Sequence, residues 1–216
     1  MYVKDNMIAS PITIGPNSSV SEAVELMSEN KLHRLPIVDG SGKLVGLVTE
    51  SVITSNTPNN SSTLSVFELN YLLNKLKISD IMIRDVITIG KDALLEEAAT
   101  VLRKNDIGCL PVVDENNKLI GIITHNDIFT AFIDLLGYNH NGMRYVISIP
   151  EDKPGILKDI ATVLSKEDIS ISNLAVYNNT RGIEVVVITY GYEDASDKLE
   201  EAGYKVSSVI KLKEHY

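Results

Sequence analysis

Three stretches of the sequence carry side chains and turns able to recognise a small polar ligand. Thr124-His125-Asn126-Asp127 follows the apolar run Gly121-Ile122-Ile123, a pattern of strand turning into helix. A carboxylate such as Asp127 can accept from both hydroxyls of a cis-diol, and a strand-to-helix turn offers backbone donors to an anion. His33-Arg34 is the second stretch. Arginine forks onto phosphate oxygens, and a neighbouring histidine adds one donor, a stronger one when protonated. The plainer alternative is that these two residues close a helix, whose dipole favours cations there. The third stretch is Glu151-Asp152-Lys153-Pro154-Gly155-Ile156-Leu157. Its glycine lets a ligand approach the backbone, and a helix start favours a carboxylate.

Catalytic chemistry has no comparable signal. G-x-S-x-G, Walker, zinc-spacing and G-x-G-x-x-G patterns are absent. The four histidines, His33, His125, His140 and His215, form no i, i+4 pair, and Glu96-Glu97 and Glu200-Glu201 read as solvated helix faces. We therefore expect no enzymatic activity, no resident cofactor and no metal. A formal charge of −9 without any Lys/Arg run argues against nucleic acid as a partner. No apolar stretch approaches the roughly 20 residues of a membrane span, and Met1 to Asn6 lack the pattern of a signal peptide. A cytoplasmic chain is expected. The single cysteine, Cys109, sits among apolar residues and reads as a buried, inert thiol.

The elements that must position these residues are set by a repeat. Shifting the chain by 75 residues aligns 5–53 with 80–128 without a gap, with 19 identities in 49 positions. Ile12-Thr13-Ile14-Gly15 recurs as Ile87-Thr88-Ile89-Gly90, Leu35-Pro36 as Leu110-Pro111, and Val38-Asp39 as Val113-Asp114. Each copy reads as strand, helix, strand, strand, helix. Val20, Ala23, Val24 and Met27, and again Leu95, Ala98, Ala99 and Leu102, make one helical face. Asp39-Gly40-Ser41-Gly42 and Asp114-Glu115-Asn116-Asn117 turn the hairpins. One unit of this length would expose an apolar sheet face, so the copies should pack around a pseudo-two-fold axis. Residues 54–63 read as a loop, and Val66, Leu69, Leu72, Leu73 and Leu76 as an amphipathic connector helix.

The paired stretches 35–49 (LPIVD through GKLVGLVT) and 110–127 (LPVVD through NKLIGIITHND) resemble a tandem of cystathionine-β-synthase (CBS) domains, the Bateman module. The resemblance implies adenosine-nucleotide binding between the repeats, with Thr124 and Asp127 on the ribose and Ile122, His125 and Asn126 beside them. It implies a second wall from Val3, Ile8 and Ala9 and from Leu32, His33, Arg34 and Pro36. His33-Arg34 is similar to a His-Arg pair that contacts phosphates in some members. The symmetry-related positions hold Val52 for Asp127 and Gly108-Cys109 for His33-Arg34. One nucleotide site per chain is therefore expected.

The last third alternates as strand 143–149, helix 156–166, strands 169–177 and 183–190, helix 195–202 and strand 204–212, the βαββαβ ferredoxin-like order. Its Asp152 to Leu157 stretch resembles the D-x-P-G-x-L signature of ACT domains. That resemblance implicates Asp152, Gly155, Ile156 and Leu157, with Asn173 on a facing strand, in amino-acid binding. Many ACT domains serve only as dimerisation surfaces, and both readings stand. The expected fold is α+β: CBS repeats over 1–56 and 78–136, a linker and connector helix over 57–77, and an ACT domain over 143–213. This order, with the stretch 65–82, resembles the acetoin-utilisation AcuB-like proteins. It implies a regulator whose protein target the sequence does not name; the CBS resemblance makes AMP, ADP or ATP the sensed ligand, and because CBS and ACT modules commonly self-associate, a homodimer is expected. A scaffold with empty clefts, or a sensor of another adenosyl compound such as S-adenosylmethionine, are the alternatives.

Overall fold

The computed structural model describes residues 1–57, 66–180 and 182–213. The chain divides into two compact units, Met1–Ile128 and Phe129–Tyr216. The elements run α1 (Val3–Asn6), β1 (Ile8–Ala9), α2 (Val20–Asn30), β2 (Arg34–Val38), β3 (Leu44–Thr49), α3 (Glu50–Asn56), α4 (Val66–Lys75) and α5 (Ile78–Ile81). They continue as β4 (Ile89–Gly90), α6 (Leu95–Asn105), β5 (Cys109–Val113), β6 (Leu119–Thr124) and α7 (His125–Leu135). The remainder is β7 (Gly142–Ile149), α8 (Ile156–Lys166), β8 (Ile171–Asn179), β9 (Gly182–Thr189), α9 (Ser196–Glu201) and β10 (Lys205–Leu212).

The repeat dictates the first unit. In α2, Val20, Ala23 and Met27 are buried, and in α6 Leu95, Ala98 and Leu102 are fully so. Val24, expected on the same face, is 41% exposed. The buried stripe is thus narrower than the periodicity suggested, because only positions i, i+3 and i+7 face the hairpin. Ser19 caps α2 with a reciprocal box: its hydroxyl accepts from Glu22 N and its own N–H donates to the Glu22 carboxylate. Both helices end in a left-handed residue without being glycine, Lys31 (φ 53°) and Asp106 (φ 51°).

The pairing of the entry strands was not anticipated. β1, from the first repeat, adds antiparallel to β6 of the second, with Ile8 opposite Ile122. Reciprocally, Ile83 from the second repeat bridges Leu47 of β3. Each repeat thus lends its first strand to the other's hairpin. Two matched glycines permit the crossing. A Cβ on Gly121 would lie 2.5 Å from Met7 Sδ, and one on Gly46 2.6 Å from Met82 Sδ. The expected loop at 54–63 begins as the end of α3, and its residues 58–63 lie outside the described residues. The connector helix forms as α4, with Leu73 and Leu76 against the core of the first repeat.

In the second unit the observed order is βαββαβ, with an antiparallel sheet β10-β7-β9-β8. Ile160 and Leu164 of α8 and Leu199 of α9 pack with Tyr145, Ile147, Val185 and Val187 on one face of this sheet. The Tyr145 hydroxyl donates to Glu193 O and accepts from Ala195 N. Burial pushes its pKa up. The division of the chain at Ile128/Phe129 falls inside α7, ahead of the expected end of the second repeat at 136. The reason is local: Ile133, Leu136 and Tyr138 sit with Val186 and Ile188 of the second unit's sheet. Among the described residues no helix is long and apolar enough to cross a membrane.

Candidate functional site

Two clefts open between the repeats of the first unit. One, of about 360 Å³, is lined by Ile8, Ser10, Pro11, Ile12, Lys31, Leu32, His33, Arg34, Pro36, Gly108, Ile122, Thr124, His125 and Asn126. Strand exchange assembles it: β1 brings Ile8 beside Ile122, while the β5–β6 hairpin delivers Thr124 at the head of α7. Nine of the twelve residues expected around the nucleotide meet here, namely Ile8, Leu32, His33, Arg34, Pro36, Ile122, Thr124, His125 and Asn126. Three do not line the cavity. Val3 is fully buried in α1, and Ala9 is exposed outside the cleft. Asp127 stands one turn behind: its Oδ2 accepts from Thr124 N and Thr124 Oγ1, each at 2.7 Å. Thr124 and Asp127 therefore form a helix-capping pair, an arrangement that orients the Thr124 hydroxyl at the cleft wall.

Sequence reasoning missed Lys31, Ser10, Pro11, Ile12 and Gly108. The repeat held a signal for three of them. Ser10 aligns with Asp85, Lys31 with Asp106, and Gly108 with His33, so each is a place where the copies differ in chemistry. Gly108 has a defined task. A Cβ there would lie 2.6 Å from a guanidinium nitrogen of Arg34, so its missing side chain is what admits Arg34 between the repeats.

The second cleft, of about 510 Å³, is lined by the positions 75 residues away, including Leu47, Thr49, Glu50, Ser51, Val52, Ile83, Asp85, Asp106, Gly108 and Cys109. His33 and Arg34 reach it as well. His33 Nδ1 lies 2.8 Å from Glu50 Oε2, an exposed pair. Thr49 caps α3 by accepting from Val52 N, and Val52 can return no bond. Cys109 is buried with Leu47 and Ile122. Burial raises its pKa, with Arg34 acting in the opposite direction, which fits a structural thiol. Among the described residues no group of three His, Cys, Asp or Glu is placed to hold a metal.

In the second unit, Asp152, Gly155, Ile156 and Leu157 come together around a cavity of about 430 Å³, with Gly155 at φ 104° before α8. Asn173 is not among its lining. The register sets Asn173 opposite Ile188 and Val176 opposite Val185, on alternate faces. Val176 faces the loop cavity, while Asn173 donates to Leu135 O at 2.8 Å on the other face.

Residues 3–56 and 78–134 match the CBS domain family, and the chain belongs to it. The crystal structure of CBSX2 in complex with AMP is 31% identical, with a TM-score of 0.51, covering 62% of this chain and 96% of that one. CBSX2 is a CBS-pair protein from Arabidopsis thaliana. The CBS pair of MJ0100, in complex with 5′-methylthioadenosine and S-adenosyl-L-methionine, is 34% identical with a TM-score of 0.50, over 61% of this chain and 99% of that one. A Vibrio cholerae structure described as an acetoin utilization protein (AcuB) is 31% identical with a TM-score of 0.53, over 63% and 93%. Among curated proteins, Methanocaldococcus jannaschii MJ1232 is 38% identical over 116 residues, 54% of this chain and 34% of that protein. The chain thus spans about a third of that relative's length.

Proposed function

We propose that the chain is a non-enzymatic cytoplasmic regulator that senses adenine nucleotides through the cleft at Thr124. The charge of that cleft carries the reading. Lys31, His33, Arg34 and His125 line it without a single carboxylate among the described lining residues, in a chain of net charge −9. Such a setting selects a polyanion. Ile8, Ile12, Leu32, Pro36 and Ile122 supply an apolar slot for a base. Thr124, held by Asp127, meets the ribose, and Arg34 with His33 meets the phosphates. The AMP complex of CBSX2 supports the ligand class. A ligand touching both repeats at once biases the state in which both walls are engaged, which is how binding is passed to a protein target. Isothermal titration of the full chain with AMP, ADP and ATP tests this. Micromolar binding at one site per chain is expected, and no binding of any of the three overturns it.

A second reading rests on the other cleft. Asp85, Asp106 and Glu50 would favour a cationic adenosyl compound such as S-adenosylmethionine, a ligand present in the MJ0100 structure. Competition between S-adenosylmethionine and ATP separates the readings, because ligands of opposite charge in different clefts do not displace one another.

The second unit supports an ACT domain on its βαββαβ order and on the Asp152 to Leu157 loop around its own cavity. We infer that it mediates homodimerisation and that the loop receives an amino acid, as the ACT-domain resemblance implies. Sedimentation giving a monomer at micromolar concentration would remove the dimer.

A further inference from the structure

Helices α8 and α9 cover one face of the second unit's sheet, and the opposite face holds a cavity of its own. The end of α7, with Ile133, Leu136 and Tyr138, encloses about 350 Å³ against Val186, Ile188, Ala175 and Tyr177. The floor is apolar and buried: Ile188 is 1% and Val186 7% exposed. The rim is fixed by the Asn173 amide, which donates to Leu135 O at 2.8 Å and fills the space beside Gly137 (φ 71°). One charged side chain enters this apolar slot, Arg144 of β7. Among the described residues no carboxylate stands in ion-pair range of its guanidinium. A half-buried guanidinium beside apolar walls, without a counter-ion, is a group that gains from an anion.

We propose that this cavity binds a small monocarboxylate with an aliphatic body. The carboxylate takes the two-pronged bond of Arg144, and the chain lies on Ile188, Val186 and Leu136. The volume sits at the low end for small-molecule sites, which fits a short ligand. A single arginine matches one carboxylate, whereas a phosphate would leave most of its oxygens facing hydrocarbon. The site is separate from the nucleotide cleft and from the Gly155 loop, and it rests on neither assignment.

The test uses the full chain with hexanoate, hexan-1-ol and inorganic phosphate as probes, followed by calorimetry and by methyl resonances of isoleucine and valine. Hexanoate is expected to saturate and to shift Ile133, Val186 and Ile188, leaving Ile149 and Ile156 of the Gly155 cavity in place. Hexan-1-ol should bind at least tenfold more weakly, as should hexanoate to Arg144→Met, while Arg144→Lys retains part of the affinity. Unchanged methyl resonances of Ile149, Ile156 and Ile160 in Arg144→Met show that the second unit of the variant is folded. The proposal is overturned by equal binding of hexanoate to Arg144→Met, by phosphate binding as tightly as hexanoate, or by no shift at all. It is also overturned if the same methyl groups respond to protein concentration instead of hexanoate, since a second copy would then occupy the slot.

Discussion

The two clefts of the first unit are lined by equivalent residues 75 positions apart, yet their charges are opposed. Ser10, Lys31 and His125 on one side become Asp85, Asp106 and Glu50 on the other. Backbone geometry is kept while chemistry is exchanged. Lys31 and Asp106 share the same left-handed conformation at the end of equivalent helices, and they differ by two units of charge. Thr49 and Thr124 both cap a helix, but only Thr124 has a carboxylate behind it. The larger cavity is the one with the acids, so volume alone would have chosen the wrong cleft for an anion. A duplicated fold can hold its shape constant and let each copy take a different ligand polarity.

Substituting Arg34, one of the residues that both clefts share, should have the largest effect. Arg34→Ala removes charge-assisted bonds worth about 1.5–3 kcal/mol each, and ATP affinity by calorimetry should fall roughly 10- to 100-fold. Asp127→Ala comes next, with affinity at least tenfold weaker and a lower melting temperature from the lost cap, about 1 kcal/mol. Thr49→Ala, the matching cap change in the other repeat, should lower stability by a similar amount and leave ATP affinity unaltered. If both variants lose affinity equally, the clefts are not distinct in function. A gain is expected from the combined change Val52→Asp, Asp85→Ser and Asp106→Lys, which gives the larger cleft the polarity of the smaller. Stoichiometry should rise from one ATP per chain towards two, and an unchanged value of one would show that charge is not what separates them. The smallest effect belongs to Glu50→Gln. It frees His33 from an exposed pair worth about 0.2–1 kcal/mol, so ATP should bind about twofold tighter, in a manner that fades at high salt.

Much of this contrast was legible from the sequence, because an ungapped repeat turns every substitution into a controlled difference. Val52 against Asp127 and Gly108-Cys109 against His33-Arg34 stand out on alignment alone. Helix α8 was placed to the residue, since its stripe of Ile160 and Leu164 is strongly periodic. The exchange of β1 was not legible. Two residues carry no periodicity, and their partner lies more than 110 positions away. That Asp127 holds Thr124 from behind the cleft wall was not legible, because diol recognition and helix capping use the same residue at the same place. Asn173 was put beside the Gly155 loop because strand order can be read from a pattern, whereas the face of an edge strand after an irregularity between Ile171 and Asn173 cannot. The Arg144 slot needed the packing of α7, which no local signal encodes.

Strand exchange has a consequence for how this molecule can be cut or assembled. A fragment holding the first repeat alone carries β1 with no hairpin to receive it, and a hairpin whose β3 edge has lost Ile83. Both defects are complementary, so two such fragments can satisfy each other by trading strands, which makes half-molecules prone to swapped dimers. A single repeat is thus structurally complete only beside another, whether its own twin or a second copy of itself.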